Sequence, residues 1–557
     1  MSRFNTRTVQ GKRPEPQVGP MKTTNRLGYT YEGASAYVRS ARTDLFLRAS
    51  SSFANQGTYY EDAGKRDAKL VELTRTLAVD DFDWLFDCAI WLRGPGNIRL
   101  APVIIAAEAT HARVKAKLHG GAGVRIPEPR DAAEQPFATA RKLCNQVCQR
   151  LDDVTEMIAY WKAIHPGEQI PKPMKRGLAD ALNRLMTERA FLRYDSQASA
   201  VRIGDALELT HAKGGKAYQN DLYRWAITAR HGRDETPPAK LKAVHARHVL
   251  SRLSGPSRAA MAHGGEMGDT VREAMAGQWE WLNSWLGSTD LSKREIWEMA
   301  IPEMGYMALL RNLRNFDHAG ISEEMIDYVV NKIKDPEEVA KSRQLPFRFL
   351  SAYLNAPSDN WKRALNQGAN HCLGNIPELD GGTLTLVDVS GSMHRAMSDK
   401  SKMTMDMAGA LFGVALALKN RETCDLTIFG TYSKAVTLQP GASLLAATEA
   451  VVRDGRSDSS IGWGTNMGPA IQASFVKSKH QRVVIISDMQ AFPNGYTGVV
   501  GPVPADVPIY CFNLASYSNT PIATGSRTRV DLGGLSDHTF RLIQTMENAE
   551  KAGWPWE

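Results

Sequence analysis

The 557-residue chain predicts a multidomain protein: an all-α region of successive helices first, then an α/β doubly wound, Rossmann-like domain. Three observations predict it. Helix-period apolar stripes follow one another from about Tyr29 to Leu373, strand-like apolar runs alternate with helical stretches after that, and the charge divides along the same line. The expected boundaries are residues 1–28, 29–377 and 378–557, because a chain this long exceeds what one core usually supports.

Residues 1–28 hold Gly, Pro, Lys, Arg, Thr and Gln with almost no apolar periodicity and are expected to form a flexible basic arm. Beyond them, Leu70, Leu73 and Leu77 stand at i, i+3 and i+7, one stripe of an amphipathic helix. Helices over 81–92 and 101–114 follow, divided by Arg93-Gly-Pro-Gly-Asn97, which cannot continue a helix. Further helices are expected over 138–151, 154–165, 175–194, 203–210, 217–229, 239–253 and 270–286. Ser292-Lys-Arg-Glu295 is a capping box, and Pro302 forces a break after it. Antiparallel pairs of such helices stacked in series make an α-solenoid, although no fixed repeat length is visible.

In the carboxyl third, strands are expected over 384–389, 426–429, 483–486 and 509–512, interleaved with helices over 404–418, 443–453, 468–476 and 537–549. That βα rhythm requires a mainly parallel sheet with helices on both faces. Leu379-Asp-Gly-Gly382 reads as the seam.

The first of these strands ends abruptly in Asp388-Val-Ser390-Gly-Ser392, one carboxylate and two hydroxyls in a tight turn. By itself this string marks a turn. Two later segments complete a set: Thr465 in the loop Gly462-Trp-Gly-Thr465-Asn466, and Asp488 at the end of another apolar strand. Ligands in open parallel sheets bind beyond the carboxyl ends of the strands, where distant residues converge. Oxygen donors of this kind suit magnesium or manganese, which proteins hold with few carboxylates, some hydroxyls and retained waters.

Net charge is +8; residues 376–557 carry 15 Lys+Arg against 17 Asp+Glu, so residues 1–375 carry +10. A basic helical region beside a nearly neutral domain points to a polyanion, nucleic acid above all, with a merely solvated surface as the rival reading. No apolar run approaches the roughly 20 residues needed to span a bilayer, and the start of the chain shows no secretory signal, so cytoplasmic residence without membrane contact is expected. The six cysteines lack paired metal-site spacing and are expected as buried thiols, Cys144 and Cys148 at i, i+4 included.

Thr465 and Asp488, taken with Asp388, Ser390 and Ser392, resemble the metal-ion-dependent adhesion site of the von Willebrand factor A domain. The resemblance implies Ser390, Ser392 and Thr465 as direct ligands, Asp388 and Asp488 direct or through water, and one position open to an acidic group on a partner. Arg294-Glu-Ile-Trp-Glu-Met-Ala-Ile-Pro-Glu-Met-Gly-Tyr-Met-Ala-Leu-Leu-Arg-Asn-Leu313 is similar to the most recognisable string of the TROVE domain of Ro-family RNA-binding proteins, and Gln56-Gly-Thr-Tyr-Tyr60 to another of its segments. The resemblance is to a bacterial or phage member. It implies a ring of HEAT-like repeats joined to the metal domain, a Y RNA on the outer surface, and 3′ single-stranded ends of misfolded noncoding RNA in a central hole. It also implies polynucleotide phosphorylase or another 3′ exonuclease as a partner of a monomeric protein.

Carried over residue by residue, the family's Y-RNA histidine string is matched by Leu209-Thr-His211-Ala-Lys213, while its upstream lysine and arginine fall on Tyr194 and Ala198. Arg193 and Arg202 stand near enough to substitute. Arg311, Arg314 and Asn315 are the candidates for the hole, and Lys175, Arg176 and Arg184 for a basic outer face. The twelve tryptophans include Trp279, Trp281 and Trp285, which fit core positions. The expected function is non-enzymatic RNA quality control. Its rivals are a metal-dependent assembly module that ignores RNA, and a nuclease; the latter lacks paired carboxylates or a Ser-His-Asp set.

Overall fold

The computed structural model describes residues 23–29, 35–51, 63–96, 98–119, 138–232, 235–263, 269–342, 346–376, 378–397, 401–491, 503–515, 519–522 and 528–533, with isolated positions besides. The chain divides into two compact units. One is Gly64–Gly374; the other joins the described residues before Ser52 to Asn375 and beyond. The segment Gln56–Tyr60, the arm before Thr23 and most of the helix expected over 537–549 lie outside the described residues.

The first unit is helical throughout its described residues. Leu70, Leu73 and Leu77 are buried on the helix Ala63–Asp80, as their spacing predicts. The helices Phe82–Arg93, Leu100–His119, Ala138–Val147 and Lys172–Leu185 pack against one another in chain order, the arrangement of helical repeats. Gly177 permits the tightest of these contacts, since a Cβ there would lie 2.4 Å from the Arg141 carbonyl oxygen. Buried Arg93 donates to Asp153 at 2.6 Å and to the Val147 carbonyl at 3.1 Å. Asp153 also caps the helix Leu151–Ile164 by accepting from the Arg150 amide at 2.9 Å.

Two expected helices are broken. The one over 175–194 divides at Thr187, whose hydroxyl accepts from the Ala190 amide and starts a new helix, Glu188–Tyr194. The one over 270–286 becomes Asp269–Met275 and Trp279–Leu286, because Ala276 and Gly277 turn left-handed at φ 51° and 76°. The Ser292 capping box forms, with Glu295 reaching back to the Ser292 amide at 2.8 Å, and Pro302 sits in a single 3₁₀ turn. Trp285 is buried and Trp281 stacks on it at 5.4 Å.

The second unit carries the doubly wound domain. Its strands are β3 (Thr383–Asp388), β4 (Cys424–Phe429), β5 (Ser433–Val436), β6 (Arg482–Ser487), β7 (Ile509–Asn513) and β9 (Arg529–Gly533), ordered β5-β4-β3-β6-β7-β9. All pairs are parallel except β4 with β5. The helix Met405–Lys419 is buried almost all round against β3, β4 and β6, its Gly409 and Gly413 close to Thr385, Val387 and Ile486, while Leu384, Leu386, Val483 and Ile485 fill the core on the other face of the sheet with Met467, Ala470 and Ile471.

The amino-terminal reading needs correction. Helices were expected from Tyr29, but β1 (Thr23–Tyr29) and β2 (Ser35–Arg39) form an antiparallel pair extended by β8 (Asn519–Thr520). These strands belong with the carboxyl-terminal unit, so the helical unit starts near 64 rather than 29. The stabilising partner, β8, lies almost the whole chain away, where no local periodicity can reveal it. Among the described residues five cysteines are buried and Cys424 is half-buried; none is disulfide-bonded. Burial pushes the Cys144 thiol up to about 12, which suits packing rather than metal thiolate chemistry. No described helix is long and apolar enough to cross a membrane.

Candidate metal centre and nucleic-acid surface

β3 is central and fully buried, and its final residue is Asp388. Its register with β6 sets Val387 beside Ile486, so the two strand ends deliver Asp388 and the Ser487-Asp488 pair to neighbouring positions. Asp388 is held from two sides. Its Oδ1 accepts from the Ser390 amide at 2.9 Å, and its Oδ2 from the Ser487 hydroxyl at 2.5 Å. The Ser390 and Ser392 hydroxyls lie 3.4 Å apart. The Asp488 Oδ1 accepts from the Gln490 amide at 3.1 Å.

The third loop is brought in by backbone bonds. The Gly391 amide donates to the Trp463 carbonyl at 2.9 Å, and the Asn466 amide to Gly430 at 2.9 Å, with Thr465 between them. Gly462 has to be glycine: its φ is 68°, and a Cβ would meet the Thr431 hydroxyl at 2.7 Å. Asp388, Ser390, Ser392, Thr465 and Asp488 are all buried. Nearby, buried Asp406 at the start of the helix Met405–Lys419 is gripped by Arg456 at 2.7 Å, which ties that helix to the last turn of the helix Leu444–Ser457.

Burial pushes the Asp388 carboxyl above its ordinary range, outweighing the hydrogen bonds from Ser390 and Ser487 and the attraction of His394. A dication would reverse that balance by favouring the charged carboxylate. The donor set fits a hard cation: two carboxylates and three hydroxyls, all oxygen, on buried residues. Because two protein donors already occupy its oxygens, Asp388 is suited to reach an ion through bound water, leaving the hydroxyls to ligate directly. Ser487 was missed in the sequence, where only its place immediately before Asp488 could have marked it.

In the helical unit, Arg311, Arg314 and Asn315 come together on the exposed face of the helix Tyr306–Ala319, with His318 one turn on. Tyr306, Leu309, Leu310, Leu313 and Phe316 bury the opposite face. The guanidinium groups of Arg311 and Arg314 form no ion pair among the described residues, and the Asn315 amide bonds to Asn312 at 2.8 Å.

The outer-face candidates separate. Arg176 is exposed and Lys175 half-buried on the helix Lys172–Leu185. Arg184 on the same helix donates to the carbonyls of Asn145 and Cys148, both at 2.6 Å, so it caps the neighbouring helix instead of facing a ligand. Arg202 is likewise engaged internally, bonded to Asp195 at the start of the helix Ile203–Thr210. Arg193 is exposed with its guanidinium 5.5 Å from the Tyr194 ring. His211 ends the helix Ile203–Thr210 in a left-handed conformation, φ 53°, and is exposed, as is Lys213.

Together these features define the class: a unit of successive helices combined with a doubly wound α/β domain whose strand ends carry buried carboxylates and hydroxyls. Within that class, residues 238–435 match the TROVE domain. The crystal structure of the Deinococcus radiodurans Ro protein superimposes with a TM-score of 0.61 at 15% identity, over 91% of this chain and 100% of that one. Telomerase protein component 1 of Mus musculus is 33% identical over 105 residues, and that of Rattus norvegicus 38% over 64. These stretches are 18% and 11% of this chain, and the chain spans only 4% and 2% of those relatives' lengths.

Proposed function

We propose that this chain is a Ro-like RNA-binding protein that holds a structured, Y-like RNA and captures the 3′ single-stranded ends of misfolded noncoding RNA, serving noncoding-RNA quality control without catalysing a reaction itself. The observation that carries the reading is the face formed by Arg311, Arg314 and Asn315, which lies inside the TROVE match and carries exposed cations that no carboxylate of the described residues neutralises. Guanidinium forks bind phosphate bidentately and stack on bases, which suits an unpaired strand. Arg193, Arg176, Lys175, Lys213 and His211 are candidate contacts for the structured RNA.

In this reading the oxygen cluster around Asp388 holds Mg2+ or Mn2+ and recruits a protein, a 3′ exonuclease such as polynucleotide phosphorylase being the partner that fits the role. An acidic side chain of that partner would take the open coordination position. Trp463 is 72% exposed and Tyr432 68% exposed on the loops carrying Thr465 and Gly430, which supports protein docking beside the ion. One cation held mainly by hydroxyls is poorly suited to activating water, which supports a non-enzymatic role.

The test is to sequence the RNA that copurifies with the intact chain and to measure its affinity at several salt concentrations. Enrichment of a small structured RNA, with binding that weakens steeply as salt rises, is expected. Absence of RNA, or salt-insensitive binding, would favour a metal-dependent assembly module.

A further inference from the structure

The helix Leu100–His119 carries Glu108 and His111 three residues apart, hence on one face. The helix Leu151–Ile164 ends at His165, which turns its ring toward them. One ligand atom from each of Glu108, His111 and His165 lies within 4.8 Å of the others. The surroundings hold these groups in place. Tyr160 donates to Glu108 Oε1 at 2.8 Å, and Arg75 to Oε2 at 2.8 Å. His165 stacks on Trp161 at 4.1 Å with 19° between the planes, and His111 meets the same indole edge-on at 5.1 Å. His165 Nε2 stands 2.8 Å from Glu108 Oε1.

His111 is the odd member. Its Nε2 is buried yet forms no hydrogen bond among the described residues, although a Glu168 oxygen lies 3.3 Å away. Burial and the neighbouring His165 both pull the His111 pKa down, which keeps its lone pair available, while hydrogen bonds from His165, Tyr160 and Arg75 overcome burial to hold Glu108 ionised. Glu168 is 44% exposed and is bonded by Lys115, so the group opens to solvent on one side.

We infer that Glu108, His111 and His165 form a cation site of the helical unit, selective for a zinc-class ion over magnesium, with Glu168 at its mouth. Two imidazoles and one carboxylate are the donors that borderline cations prefer, whereas magnesium takes oxygen alone. Three protein ligands leave a fourth position for water or for Glu168 once it releases Lys115. Tyr160 and Arg75 act as outer-shell partners that fix the carboxylate, a role whose loss typically lowers metal affinity about 10- to 100-fold. The site is independent of the oxygen cluster at Asp388 and of RNA binding.

The experiment uses the full chain with Asp388→Ala, its folding checked by circular dichroism, stripped with chelator and titrated with zinc chloride by equilibrium dialysis and calorimetry. One equivalent of Zn2+ should bind, excess Mg2+ should not displace it, and zinc-edge X-ray absorption should show imidazole scattering. His111→Gln, which keeps an amide in the pocket, should remove the tight zinc equivalent, and Tyr160→Phe should weaken it about 10- to 100-fold. Should His111→Gln misfold, the absorption spectrum of the parent chain still decides, since oxygen-only scattering overturns the site. No bound zinc, or zinc retained in full by folded His111→Gln, overturns it equally.

Discussion

Replacing Arg311 and Arg314 together by alanine tests the proposed function most directly. Both side chains are exposed while Leu309, Leu310, Leu313 and Phe316 anchor the far side of their helix, so stability should change by no more than about 0.5 kcal/mol. If each arginine neutralises one phosphate of an unpaired strand, the slope of log affinity against log salt should fall by about 0.7 per residue, about 1.4 for the pair. From 50 to 200 mM salt, a roughly fourfold change, the wild-type advantage should then shrink about sevenfold. Fluorescence anisotropy would compare one hairpin carrying a 3′ single-stranded tail with the same hairpin cut blunt. Loss of slope confined to the tailed RNA is expected. An unchanged slope, or equal losses on both RNAs, would refute the assignment of this face to the strand end.

Three further outcomes are expected. Asp388→Ala should lower magnesium or manganese uptake measured by calorimetry while leaving RNA affinity within about twofold, since the Arg311 face belongs to the other unit; unchanged uptake would remove the oxygen cluster from the account. Asp153→Ala strands the buried Arg93 guanidinium and uncaps the helix Leu151–Ile164, so urea unfolding should show a loss of about 3–5 kcal/mol, and a loss below about 1 kcal/mol would contradict that pairing. Hydrogen bonds from Ser460 and Lys434 hold the Asp458 carboxyl down at about 2. Its folded value lies below the usual value of about 3.9, so the stability it contributes is present above that pH and is lost as pH falls toward 2. Carbon-detected NMR titration should find it there and should find it raised in Ser460→Ala; an ordinary value in the wild type would refute those bonds.

The burial of the proposed oxygen donors at the strand ends was legible because each of them ends an apolar strand or sits in a glycine loop. The helical unit was legible in its stripes, which Leu70, Leu73 and Leu77 confirm by being buried. Helix breaks were harder. Thr187 and Ala276 interrupt stretches whose apolar spacing runs on, because capping and left-handed turns are decided by single residues. Arginine roles were harder still: Arg184 and Arg314 look alike in sequence, yet one caps carbonyls of the adjacent helix and the other faces solvent.

Sequence by itself determined which segments must bury an apolar face, where the αβ alternation starts, and which oxygen donors end β3 and β6. Only tertiary structure decided that β1 and β2 join β8, that Ser487 clamps Asp388, and that Glu108 meets His165 across 57 positions. Periodicity records what each segment requires of a neighbour, whereas the identity of that neighbour depends on packing between residues far apart along the chain.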